Sequence, residues 1–203
     1  MIGKPANYHS ALQDEADEVP YHFVEFPAGV AFVHDIHLGL SPRFSTCDCF
    51  YGDPPWRAGH AKFDARAGLD TGPFDRLLGA IRRVITANTR PMILTVGKID
   101  SRFYPTPAFC EDGLLRGAKA KMLCYGFSSR PEVFAGDPPS SLDVLQWLAG
   151  RYDVIGDFFC GYGNSGRIFV EAGKRCVLSD YNQKCICYIA AHNFEWTPHN
   201  KNL

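Results

Sequence analysis

At 203 residues the chain is long enough for one compact domain with a full hydrophobic core, and its formal charge of −1, with 21 Lys and Arg against 22 Asp and Glu, excludes the global basic field behind strong non-specific nucleic-acid binding. No apolar run approaches the roughly 18 residues needed to span a bilayer, and the first residues lack a charged-then-apolar signal pattern, which predicts a soluble, cytoplasmic protein. The eight cysteines lie mostly in apolar, strand-like runs, and the pairs Cys47/Cys49 and Cys185/Cys187 lack the usual zinc spacing; they read as small buried thiols, with no metal site expected.

In chain order, residues 1–20 are polar and carry the acidic cluster Asp14-Glu15-Ala16-Asp17-Glu18, which predicts a flexible arm ahead of a single domain over 21–203. Two β-rich runs, 23–26 and 30–34, flank the breaker Pro27-Ala28-Gly29 and predict two short strands. A third run, 47–51, stops at Gly52-Asp53-Pro54-Pro55-Trp56, where paired prolines forbid continuation as an interior strand. Beyond Asp75, residues Leu77, Leu78, Ile81, Val84 and Ile85 recur at helical spacing, and Pro91 closes that helix before a strand over 92–96. A strand over 121–127 follows, then a helix capped by Ser140 or Ser141 and running to about Ala149. The run 154–159 leads into Gly161-Tyr162-Gly163-Asn164-Ser165-Gly166 and an amphipathic helix over 167–172. A strand over 176–179, ending at Asp180, and a helix over 183–194 complete the pattern. Strands alternating with helices predict an α/β fold with a mostly parallel sheet and helices on both faces.

In such a sheet, ligands sit beyond the carboxyl ends of the strands. The glycine run after Phe159 lies there, and Asp180 ends the next strand roughly 20 residues after Asp157, where an acid can bind ribose hydroxyls. An adenosine-containing cofactor is favoured. The segment Asp157-Phe158-Phe159-Cys160-Gly161-Tyr162-Gly163-Asn164-Ser165 resembles the Asp-Pro-Phe-x-Gly-Ser-Gly-Thr-Thr cofactor motif of DNA amino-methyltransferases, and the segment from Pro138 to Leu148 resembles the capped helix that precedes it. This resemblance implies a Rossmann-like methyltransferase fold that binds S-adenosyl-L-methionine. Asp157, Phe159, Gly161, Gly163, Asn164 and Ser165 would form the turn around its methionine part, and Asp180 would take the ribose. His34-Asp35 followed by Leu38 is similar to the family's Gly-Asp segment and implies Asp35 near the cofactor adenine, with His in place of Gly. The motif departs from the family at Phe158, Tyr162 and Asn164-Ser165, and Tyr162 has the bulk to narrow the pocket.

The loop Gly52-Asp53-Pro54-Pro55-Trp56 resembles the Asp-Pro-Pro-(Tyr/Phe/Trp) signature of amino-methyltransferases acting on bases. Its Trp form is most similar to N6-adenosine RNA methyltransferases and their bacterial relatives. An adenine amino nitrogen is a poor nucleophile because its lone pair is delocalised into the ring; a carboxylate and a carbonyl that accept its two N–H bonds reorient that lone pair. The resemblance assigns these roles to Asp53 and the Pro54 carbonyl, with Pro55 stiffening the loop and Trp56 stacking the base. Because this loop precedes the glycine run, the order is similar to that of the circularly permuted group. The expected function is N6 methylation of adenine in nucleic acid, DNA being favoured over RNA. A cytosine-N4 enzyme, a methyltransferase for a protein amide or small molecule, and a catalytically silent methyltransferase-like subunit stay open as alternatives.

The stretch between the two motifs is too short for a separate target-recognition region. That implies a loosely specified substrate, or recognition supplied by a homodimer or a second subunit, and such a stripped core suits a mobile or viral genome. Arg57, Lys62, Arg66, Arg102, Arg116, Lys119 and Lys121 are the basic residues placed to track a phosphate backbone, with solvated surface the competing reading. A second Asp-Pro-Pro, at Asp137-Pro138-Pro139, follows no strand and reads as the entry to a helix.

Overall fold

The computed structural model describes residues 22–67 and 72–192; the expected arm and the end of the last helix fall outside them. The described strands are β1 (Phe23–Phe26), β2 (Gly29–Val33), β3 (Cys49–Gly52), β4 (Met92–Val96), β5 (Phe109–Leu115), β6 (Ala118–Tyr125), β7 (Val154–Asp157) and β8 (Arg175–Asp180). They form one sheet in the order β1-β2-β8-β7-β3-β4-β6-β5. The five strands from β2 to β4 in that order run parallel. Antiparallel partners close both sides: β1 on β2, and the β5–β6 hairpin on β4. The helices are α1 (Arg57–Ala67), α2 (Phe74–Ala87), α3 (Ser141–Arg151), α4 (Asn164–Glu171) and α5 (Gln183–His192).

Every residue of β3, β4 and β7 is buried, as expected of parallel strands covered on both faces. On one face, Leu77, Leu78, Ile81 and Val84 of α2 join the core formed by Phe50, Met92, Leu94 and Leu123. On the other, α3, α4 and α5 bring Leu148, Phe169 and Ile186 into a core with Ile93, Met122, Ile155 and Leu178. Each such side chain contributes roughly 1.5–3 kcal/mol by leaving water. The predicted helices therefore lie on both faces, one large helix against three. None of the described helices is long and apolar enough to cross a membrane.

Local chemistry sets the helix starts. Ser140 caps α3: its Oγ accepts from the Asp143 N–H (3.2 Å), while the Asp143 carboxylate accepts from the Ser140 N–H (2.8 Å). Helix α4 begins at Asn164, three residues before the apolar period suggests, because Gly163 takes a left-handed φ of 82° and turns the chain directly into it. Among the described α-helices and strands, α1 and β5 are not expected from the sequence, and β6 runs Ala118–Tyr125 rather than over 121–127.

The connections position the site. From β3 the chain passes through α1 and α2 to β4 on one side; from β7 it passes through α4 to β8 on the other. Two neighbouring parallel strands whose crossovers leave in opposite directions open a crevice at their carboxyl ends, where ligands of open α/β sheets sit.

Candidate active site

Pairing of β3 with β7 sets Tyr51 opposite Asp157, so the Asp53 loop and the glycine turn leave the sheet side by side. Pro54 is buried, and Asp53 is half-buried. Burial pushes the Asp53 carboxyl up to about 6, against opposing pulls from the Arg116 charge and the Trp56 indole N–H. That indole Nε1 is itself buried, and its contact with the Asp53 carboxyl falls short of an ideal hydrogen bond. Below the loop, the Tyr51 hydroxyl and Thr95 Oγ1 lie 3.2 Å apart in a buried hydrogen bond.

Trp56 is held by a residue outside both motifs, Gly97. A Cβ on Gly97, immediately after β4, would stand 2.7 Å from Cε3 of the Trp56 ring, so only glycine lets the indole lie there. The signal was present as a glycine ending an apolar strand. The Trp56 carbonyl then starts α1 by accepting from the Gly59 and His60 N–H groups (2.7 and 3.0 Å). Beside this loop lies a cavity of about 470 Å³ whose walls include Pro54, Pro55, Trp56, Phe74, Leu78 and Tyr104, a volume within the usual range for small-molecule sites.

The glycine turn is built around two carboxylates. Asp157, only 2 % exposed, accepts from the Phe159 N–H at 2.9 Å and from the Ser165 hydroxyl at 2.5 Å, which ties the end of β7 to the start of α4. Burial raises its carboxyl to about 7, although the Ser165 and Phe159 hydrogen bonds oppose this; the charges of Asp53 and Asp180 add to the rise. Asp180 accepts from the Gly161 N–H (2.9 Å) and the Asn182 N–H (2.8 Å), so the ends of β7 and β8 share one hydrogen-bonded frame. A carboxylate has about four acceptor positions, which leaves Asp180 capacity for a ligand hydroxyl. Gly161 sits at φ 51° with open space where a Cβ would stand. Helix α4 has no side-chain cap at Gly163, so its first N–H groups stay open to an anionic group. Asn164 is exposed and Ser165 buried at this helix start. Phe159 packs against Phe158, ring centroids 5.1 Å apart, at the edge of the α2-side core.

Asp35 follows β2, whose Val33 pairs with Asp180, and the His34 N–H donates to the Asp180 carbonyl at 3.0 Å; Asp35 therefore belongs to the same rim. Its Oδ1 accepts from the His37 N–H and lies 2.8 Å from His37 Nδ1. Tyr162 is directed to α5: its ring meets that of Tyr188 edge-on at 5.2 Å, and Tyr188 stacks on His192 at 4.1 Å. Asp53, Pro54, Pro55 and Trp56 thus share the crevice with Asp157, Gly161, Gly163 and Asp180, and Asp35 flanks it. All eight cysteines are free thiols, buried except for Cys110. No cluster of three metal-ligating side chains occurs among the described residues.

No protein-family model matches the chain, and no curated protein matches it. Among solved structures it is similar to M1.HpyAVI, at 12% identity over 80% of this chain and 97% of that one, with a TM-score of 0.48. It is also similar to a protein from Thermus thermophilus assigned as a DNA modification methylase, at 16% identity over 81% of this chain and 93% of that one, with a TM-score of 0.47. Both proteins have also been solved in complex with S-adenosylmethionine. Identity this low transfers no residue's role.

Proposed function

We propose that the chain is an S-adenosylmethionine-dependent methyltransferase acting on the exocyclic amino group of a nucleic-acid base, with adenine N6 in DNA as the acceptor. The observation that carries this reading is the β3–β7 adjacency: the Asp-Pro-Pro-Trp loop and the glycine turn, far apart in the chain, meet at one topological switch point. The strand order supports a permuted chain. Renumbered from β7 through β8 and then β2, β3 and β4, the parallel strands read 3-2-1-4-5, the order of a doubly wound nucleotide-binding sheet cut at a different place.

The residues fit the cofactor. Asp157 feels both Asp53 and Asp180, so the crevice gathers three carboxyl groups whose ionised forms a ligand carrying a sulfonium and an ammonium would favour. Open space over Gly161 and the uncapped start of α4 suit its carboxylate, and Asp180, with Asp35 beside it, suits the ribose and adenine end. When bound, the cofactor supplies an electrophilic methyl group.

The chain's own residues do the rest. Asp53 and the Pro54 carbonyl accept the two N–H bonds of the target amino group, turning its lone pair out of the ring. The stiff proline pair keeps these acceptors fixed, and Trp56 stacks the base in the adjoining cavity. Asp53, ionised at neutral pH, takes the proton lost by the amino nitrogen and releases it to water.

The test is transfer of labelled methyl from S-adenosylmethionine to single- and double-stranded DNA and RNA, with nucleoside analysis of the product and Asp53→Ala alongside. Labelled N6-methyladenine that disappears in Asp53→Ala is the expected result; N4-methylcytosine would move the acceptor. Cofactor binding without transfer to any substrate would replace the enzyme with a silent subunit.

A further inference from the structure

Arg116 is the only non-glycine residue with a positive φ among the described residues, at 50°, and Gly117 follows at 80°. Left-handed values at both central positions define the tight hairpin turn that joins β5 to β6, a turn that favours Asn-Gly and strains most other residues at its first position. An arginine kept there in spite of that strain is unusual chemistry for a mere connection.

The hairpin projects from the carboxyl-end side of the sheet, the side on which the site lies. Lys121 of β6 pairs with Val96, the last residue of β4, so Ala118, Lys119 and Ala120 run on past the carboxyl end of β4, by roughly 10 Å at 3.3 Å per residue. Along β6 the side chains alternate: Ala120 and Met122 are buried, Met122 in the α3-side core, while Leu123 and Tyr125 pack on the α2 side. Lys119 and Lys121 therefore take the α2 side, the side of the cavity beside Trp56. Between Asp112 and Glu132 the sequence holds Arg116, Lys119, Lys121 and Arg130 and no acidic residue. Asp112 pairs with Lys121 at 2.7 Å and Glu111 with Arg130 at 2.8 Å, so the positive charge of the overhang is concentrated in Arg116 and Lys119, both exposed. The Arg116 charge also acts on Asp53 and on Tyr51, which sets the hairpin tip within electrostatic reach of the crevice.

We propose that the β5–β6 hairpin is the phosphate-contacting edge of the acceptor site, with Arg116 held at its tip, supported by Lys119, to grip the nucleic-acid strand whose base enters the cavity beside Trp56. This rests on the proposed function and deepens it. In a chain with a net charge of −1, one short basic overhang does the work of a broad basic surface. The tight turn fixes where the Arg116 side chain leaves the backbone.

The experiment is a salt titration of binding to a fluorescein-labelled adenine-containing oligodeoxynucleotide, single-stranded and duplex, for the full chain and for Arg116→Gly, with Arg151→Ala as a charge-loss control on α3. Glycine relieves the turn, so Arg116→Gly is expected to fold with an unchanged or higher Tm. Its binding should weaken several-fold at low salt, with the slope of log affinity against log salt shallower by about 1, while Arg151→Ala behaves as wild type. Stability and binding moving in opposite directions would separate a phosphate contact from a structural role. Equal affinity and slope for wild type and Arg116→Gly would overturn the hairpin's role and leave the proposed function standing. Wild-type protein that binds neither oligonucleotide form would overturn both.

Discussion

The tripeptide Asp-Pro-Pro occurs twice, and its two copies have opposite fates. Asp53-Pro54-Pro55 leaves the end of a fully buried parallel strand, and its carboxyl is half-buried in a crevice. Asp137-Pro138-Pro139 follows the short 3-10 turn Glu132–Phe134, exposes Asp137, and hands its chain to the capped start of α3, the Pro139 carbonyl accepting from the Leu114 N–H at 2.8 Å. Proline stiffness is common to both. What differs is the element before the motif: a strand end at a switch point sets the rigid loop in a crevice, whereas a turn on the surface makes it a connector.

Substitutions can break this comparison. The largest effect is expected at Asp53→Ala, which should reduce methyl transfer by about 10²–10⁴-fold, while Asp137→Ala leaves it within about twofold; equal losses in single-turnover assays would dissolve the distinction. Gly97→Ala comes next, because its Cβ meets the Trp56 ring at 2.7 Å. Displacing the indole should cost about 1–3 kcal/mol in urea unfolding and roughly 10-fold or more in transfer rate.

Asp53 itself sharpens the contrast through pH. Burial lifts its carboxyl from the ordinary 3.8 to about 6, so the folded state favours the proton, and the stability this gives, complete below 3.8, is lost as pH rises through about 6. Asp53→Asn should therefore be more stable than wild type at pH 8 by roughly 1–3 kcal/mol, on the scale of 1.36 kcal/mol per pH unit, and little different at pH 4. Transfer has the opposite sign, since the acceptor role needs the ionised form: wild-type activity should fall as pH drops below about 6. The smallest effect belongs to the second copy's neighbourhood, where Ser140→Ala removes the α3 cap for about 1 kcal/mol in thermal unfolding and leaves transfer intact.

The parallel strands were legible because burial on both faces demands continuous apolar runs, and the crevice because glycines and acids stand where those runs end. Strand β5 was not. Its centre reads Glu111-Asp112-Gly113, residues that avoid strands, and it forms because β6 pairs along its length and Arg130 and Lys121 neutralise the acids. Helix α1, Arg-Ala-Gly-His-Ala-Lys-Phe-Asp-Ala-Arg-Ala, carries almost no apolar stripe, so periodicity had nothing to detect; it grows from the Trp56 carbonyl. In the site, residue types named the crevice, but neither the Gly97 seat of Trp56 nor the reach of Arg116 follows from spacing, since both depend on how β4 and β6 end in space.

The interleaved strand order also dictates a timetable. Synthesis runs from the N-terminus, so β2, β3 and β4 emerge well before β7 and β8, the two strands that lie between β2 and β3. Until they arrive, β2 and β3 present unpaired edges, open to pairing with other chains. Closure then requires contacts between segments distant in sequence, the slow kind. The crevice, assembled on the β3–β7 pair, is among the last parts of the molecule to come into existence.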